Sequence, residues 1–199
     1  MTQRPETLTS ETIVAFLADI FERRGGEEYL GEPVTMAEHM LQGATMAEAA
    51  GHPPRIVVAA LLHDIGHFTS EFGMFTMDDT SDRFHEDAGA AILDGFFPPL
   101  VTDCVRHHVA AKRYLCATDP EYFAKLSEAS VHSLSLQGGP MDAEEVAIFA
   151  QNPHLEEILL VRHLDDAGKE PDMITPGFAH FAPMVQAVVD AHVGANRGQ

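Results

Sequence analysis

Ile13, Phe16, Leu17, Ile20 and Phe21 recur at spacings of three and four, the period of one helix face, and Gly25-Gly26 ends the run. Thr35-Met36-Ala37-Glu38 reads as a capping box, in which the threonine hydroxyl and the glutamate carboxylate each satisfy a free backbone N–H. A second helix is predicted from there, carrying His39 in its first turn and stopping before Gly51-His52-Pro53-Pro54. Pro54 suits the first position of a third helix. The stretch from Ile56 to Ile65 is apolar nearly all round, which predicts the buried centre of the molecule, capped by Gly66. Residues 67–81 read as a loop long enough to belong to a site. Further helices are predicted near 82–95, 98–115, 120–135, 142–151, 154–167 and 184–193. No segment alternates convincingly with period two, so the expected fold is all-α, with one domain over residues 1–199.

Charge narrows the partners. Twelve Lys and Arg against 31 Asp and Glu leave a formal charge of −19, which repels nucleic-acid backbone and anionic membrane. Neither is expected as a partner, and an anionic ligand would need a local basic pocket. Cys104 and Cys116 make no metal or redox spacing and fit a reduced cytosolic protein, with Cys104 as a small core residue. No run approaches the roughly 20 apolar residues of a membrane span, and the N-terminus carries no apolar signal segment. A cytoplasmic location is the expectation.

His63-Asp64 closes the buried apolar run and is the most informative feature of the chain. Imidazole and carboxylate together suit iron or manganese, with no need of either cysteine. Adjacent residues on a regular helix diverge by about 100°. Placement at a helix end relaxes that limit and leaves Asp64 free to bridge two ions. The competing reading is an ordinary helix terminus, with an imidazole favourably placed near the dipole.

The set His39, His63-Asp64 and Asp165 resembles the HD-domain metalloproteins, whose H…HD…D signature holds metal within a helical bundle. His85 and His108 resemble the added ligands of the dinuclear members. The resemblance implies one ion on His39, His63, Asp64 and Asp165, and a second on Asp64, His85 and His108. His107 and Asp166 are the competing neighbours, with Asp166 taken as solvated.

Most HD proteins are phosphohydrolases, in which metals polarise a phosphoryl group and activate water. The segments Ala59–Leu62 with His63-Asp64-Ile65-Gly66-His67, His108–Leu115, Leu136-Gln137-Gly138-Gly139-Pro140-Met141 and Tyr29-Leu30-Gly31-Glu32 resemble a narrower group. These are the mixed-valent di-iron oxygenases that cleave the carbon–phosphorus bond of 1-hydroxy-2-aminoethylphosphonates, more distantly similar to myo-inositol oxygenase. The resemblance covers about 29–183 and implies two iron ions, Fe(II) and Fe(III), with O2 and a small organophosphonate as partners. Asp64, His67 and Lys112 are then the catalytic candidates. His67, Lys112, Ser130, Ser133, Gln137 and Arg162 are implied as phosphonate contacts, and Tyr29 and Glu32 as a lid facing the amine. From the residues alone, Lys112 shares a helix face with His108, and Ser130 and Ser133 lie one turn apart. Arg162 would serve equally in an ion pair with Asp166 or Glu157. A carboxylate beside an aromatic ring suits an ammonium group, and Glu27, Glu28, Phe72 and Phe75 are candidates to enlarge that site, with core packing the commoner role of the two phenylalanines. The implied reaction oxidises the hydroxyl-bearing carbon and releases inorganic phosphate with glycine or glycine betaine. A hydrolase of nucleotides or phosphodiesters is the alternative, and a nucleotide-binding signalling module without turnover a third.

Overall fold

The computed structural model describes residues 8–29, 31–69 and 84–197, and among them every regular element is a helix. The order is α1 (Ile13–Arg24), α2 (Met36–Ala49), α3 (Pro54–Leu62), α4 (Gly66–Thr69), α5 (His85–Leu93), α6 (Pro99–Thr118), α7 (Pro120–Phe123), α8 (Glu128–Leu136), α9 (Ala143–Phe149), α10 (Leu155–Ala167) and α11 (Phe178–Arg197). Leu30, the segment holding Phe72 and Phe75, and the expected start of a helix at 82 lie outside the described residues.

Local signals account for most of these boundaries. The capping box forms as expected: Glu38 N–H donates to the Thr35 hydroxyl, and Thr35 N–H donates to the Glu38 carboxylate at 2.7 Å. Every residue of α3 from Ile56 to Leu62 is buried, because α2, α6, α10 and α11 cover it on all sides. A helix apolar all round has no solvent face to present. Cys104 is likewise buried in α6, as expected of a core thiol. No described helix is long and apolar enough to cross a membrane.

Three expectations need correction. The helix expected at 120–135 is two, α7 and α8, since the Ser127 side chain accepts the Ser130 N–H and starts a new helix. A serine that offers the backbone such a partner interrupts as readily as it caps. The final helix begins at Phe178 rather than near 184 and carries Pro183 inside it. Pro183 lacks the N–H that Ala179 would otherwise bind, and Ala179 is exposed to water there.

Gly66 is the third. It caps nothing: α3 ends at Leu62, a turn carries His63 to Ile65, and Gly66 opens α4. Its missing side chain serves a helix crossing, for a Cβ there would stand 1.7 Å from the His85 carbonyl oxygen and 2.6 Å from the Gly89 nitrogen. Backbone cannot yield as a flexible side chain does, so Gly66→Ala is expected to destabilise by about 3 kcal/mol or more. Urea unfolding checks this, and an unchanged midpoint would refute the crossing contact.

Candidate metal centre and its pocket

Five imidazoles and two carboxylates, all at most 8% exposed, converge where α2, α3, α4, α5, α6 and α10 meet. His63 is the C-cap of α3, and the chain leaves the helix after it. That departure brings neighbours to one centre, with His63 Nε2 3.5 Å from Asp64 Oδ2. His39 Nε2 lies 2.9 Å from His63 Nε2, 3.5 Å from Asp64 Oδ2 and 3.4 Å from Asp165 Oδ1. The other Asp64 oxygen faces a second group. Oδ1 lies 3.3 Å from His85 Nε2, 3.2 Å from His108 Nε2 and 3.9 Å from His67 Nε2, and the His85 and His108 nitrogens are 3.0 Å apart.

The far side of each ring fixes its ligand nitrogen. His39 Nδ1 lies 2.8 Å from the Gly168 carbonyl, His63 Nδ1 2.8 Å from Ala60 O, and His108 Nδ1 2.7 Å from Val105 O. A carbonyl only accepts, so each Nδ1 carries a proton and Nε2 is the nitrogen each ring has left for an ion. His85 Nδ1 meets Glu86 Oε2 at 3.4 Å. Asp165 Oδ1 is buried without a hydrogen-bond partner, while Oδ2 receives Arg162 at 2.7 Å. An orphaned carboxylate oxygen among imidazole Nε2 atoms fits a divalent cation. His39, His63 and Asp165 form one group of donors close enough to surround an ion, and Asp64, His67 and His85 another.

Electrostatics agree. Burial opposes a charge on His39, yet the Asp165 and Asp64 carboxylates outweigh it and raise the ring to about 9. Burial instead drives His63 down to about 4, and holds His67 well below the usual imidazole range. Without a cation, a proton on His39 therefore balances the carboxylates at neutral pH. Metal loading at pH 7.5 is expected to expel about one proton per chain, an effect lost as pH rises through about 9 and His39 becomes neutral beforehand. Calorimetry in buffers of different ionisation enthalpy measures it, and loading without proton release at pH 7.5 would contradict the assignment.

The cluster floors a pocket whose open volume is about 40 Å³. Asp64, His67, His85, His108 and Asp165 face it, and His39 and His63 sit behind. In its wall Lys112 Nζ, buried in α6, donates to Ser133 Oγ at 2.8 Å, and Arg162 and Gln137 line the same pocket. Burial, helped by the neighbouring Arg162 charge, pushes Lys112 down to about 7. The Gln137 side-chain oxygen is buried without a hydrogen-bond partner. Tyr29 and Glu32 line the same pocket. Tyr29 stacks on the His39 ring at 3.9 Å, and the Ser127 hydroxyl donates to Glu32 Oε1 at 2.6 Å.

The HD domain family matches residues 36–150. The chain belongs to the HD-domain family. It is 71% identical to the 1-hydroxy-2-(trimethylamino)ethylphosphonate dioxygenase (glycine-betaine-forming) of Leisingera caerulea, over 94% of this chain and 96% of that one. It is 38% identical to the hydroxymethylphosphonate dioxygenase of Gimesia maris, over 83% of each. Within the HD-domain family the chain therefore sits in the branch of these phosphonate dioxygenases.

Each HD-type site residue expected from the sequence faces this cluster or its pocket. His107 packs against Phe149 at 6.0 Å between ring centroids, away from the donors. Asp166 is not a solvated neighbour: it binds Arg162, and the Tyr122 hydroxyl donates to it at 2.5 Å. Arg162 forms the expected ion pair with Asp166, pairs with Asp165 as well, and lines the pocket. His67 also does two things, lining the pocket and joining the second donor group. Sequence reasoning missed Lys169 and Ser127. Lys169 donates to Ser130 Oγ at 3.0 Å and lies 3.5 Å from Glu32 Oε1. Its signal was present: one of only 12 basic residues stands four positions beyond Asp165.

Proposed function

We propose that the protein is an O2-dependent phosphonate dioxygenase, cleaving the carbon–phosphorus bond of 1-hydroxy-2-(trimethylammonio)ethylphosphonate to glycine betaine and inorganic phosphate. O2 supplies the two oxygen atoms that the products gain, and one proton is released. The make-up of the pocket carries this reading: Lys112 and Ser133, Tyr29 and Glu32, and a histidine–aspartate floor line one space. A zwitterion matches that combination, with a cation and hydroxyls for its phosphonate and a carboxylate and an aromatic ring for its ammonium.

Two iron ions are the cofactor we assign, one on His39, His63, Asp64 and Asp165, the other on Asp64, His85 and His108. When bound, iron supplies activation of O2 and the electron chemistry that oxidises the hydroxyl-bearing carbon. The chain's residues bind and orient. Lys112, Ser133, Ser130, Arg162, Gln137 and the neutral His67 ring receive the phosphonate oxygens, with Lys112 opposing the dianion most directly. Glu32 and the Tyr29 ring take the ammonium. We assign these roles to one HD-type unit, since one apolar cluster draws its residues from Ile13 through to Val189.

The phosphohydrolase alternative is not favoured, because both phosphonate-acting relatives are named dioxygenases. A binding module without turnover leaves the complete donor set without a purpose. The test is oxygen uptake by the iron-loaded, partly reduced protein offered the trimethylammonio substrate and, separately, its primary-amine analogue. Uptake with stoichiometric phosphate release supports the reading and selects the substrate; no uptake with either overturns it.

A further inference from the structure

Lys169 follows Gly168, the C-cap of α10, and its side chain is 14% exposed. Its ammonium stands 3.5 Å from Glu32 Oε1 and 6.0 Å from the centre of the Tyr29 ring. A carboxylate and an aromatic face around one cation is the chemistry that recognises an ammonium ligand. The protein's own lysine therefore sits where the ammonium half of a zwitterionic phosphonate belongs. We propose that Lys169 is an internal occupant of the substrate's ammonium position, which a cationic substrate displaces on binding. This rests on the pocket being the phosphonate site argued above.

Space supports displacement. The open volume of about 40 Å³ accommodates only a few waters, far less than a trimethylammonio phosphonate. Something must move, and Lys169 has somewhere to go. A second cavity of about 210 Å³ shares Lys169 with the pocket, and Ser127 and Asp166 are among its other lining residues. Lys169 carries its ammonium on a flexible four-carbon stem, and the Asp166 carboxylate lines that second cavity. Glu32 then exchanges one cation for another, and its charge stays paired throughout.

Specificity follows from that exchange. A phosphonate lacking a cation offers Glu32 nothing in return for Lys169, so displacement leaves a largely buried carboxylate uncompensated. Lys169 thereby selects for cationic substrates without touching the reacting carbon.

The test separates the two halves of the ligand. Choline and inorganic phosphate are titrated calorimetrically, each alone, into metal-loaded wild-type protein and Lys169→Met. Removal of the competing ammonium is expected to tighten choline about three- to tenfold, as one modest cation–carboxylate contact is worth. Phosphate affinity should stay within about twofold of wild type. Lys169→Gln retains a donor for Ser130 without the charge, so it should tighten choline equally and serves if the methionine variant does not fold. Weakened phosphate with unchanged choline would make Lys169 a phosphonate ligand and overturn the proposal, as would no change in either titration. Wild-type oxygen uptake decides the functional reading separately: if uptake holds and choline does not tighten, only the role of Lys169 falls.

Discussion

Asp64→Ala is expected to lose both metal ions and to retain less than about 1% of wild-type activity. Its two oxygens face different donor groups, Oδ2 toward His39 and His63 and Oδ1 toward His85 and His108, all within 3.5 Å. Among the described residues no other carboxylate stands in that position, since Asp165 reaches only the first group. Loss of an outer partner of a metal ligand costs about 10- to 100-fold in affinity, and loss of a shared ligand costs more at both sites. Asp64→Asn separates charge from shape: it preserves the volume and one oxygen, yet should also bind metal poorly. Metal analysis of purified protein gives the answer. A variant that keeps one ion per chain would show that Asp64 does not bridge.

Lys112→Ala should keep its metal and raise the KM for the phosphonate by about a hundredfold or more, the cost of removing one partner from a buried charged contact. Lys112 touches Ser133 and not the histidine–aspartate donors, so metal content is the control that distinguishes binding from scaffolding. The pH profile adds a second reading. Burial and Arg162 lower the substrate-free lysine to about 7, so its positive form is lost as pH rises through that value. Wild-type kcat/KM should accordingly fall on the alkaline side, since that ratio reports ionisations of the free enzyme. The substrate's own ionisation acts on both proteins, and the difference between wild type and Lys112→Ala isolates the lysine. A variant that loses its metal, or keeps the same alkaline limb, would contradict the assignment.

How far the sequence foretold these sites depends on the range of the forces involved. The start of α2 was legible because a capping box is closed by residues three apart, and Thr35 and Glu38 meet whatever surrounds them. The burial of α3 was legible for a related reason: Ile56 to Leu62 leave no polar face for water. The break between α7 and α8 was not, because Ser127 is as compatible with a helix interior as with a cap. Its hydroxyl also bonds Glu32, a residue far away in the chain. Gly66 was misread for the same reason. A glycine after an apolar run normally marks a helix end, and only the approach of α5 to α4 shows that it is a crossing point.

The site divides in the same way. By itself, the sequence determined the helical class, the central helix and the residue types able to bind metal, since periodicity, capping and side-chain chemistry are local properties. Its resemblance to HD proteins supplied the pairing of His39, His63-Asp64 and Asp165. Only the tertiary structure decided that the two oxygens of Asp64 face separate donor groups, that Asp166 turns to Arg162 and Tyr122, and that Lys169 reaches Glu32. Those facts depend on how α2, α6, α8 and α10 cross. Side-chain packing between distant segments sets the crossings, and no local pattern in the chain records them.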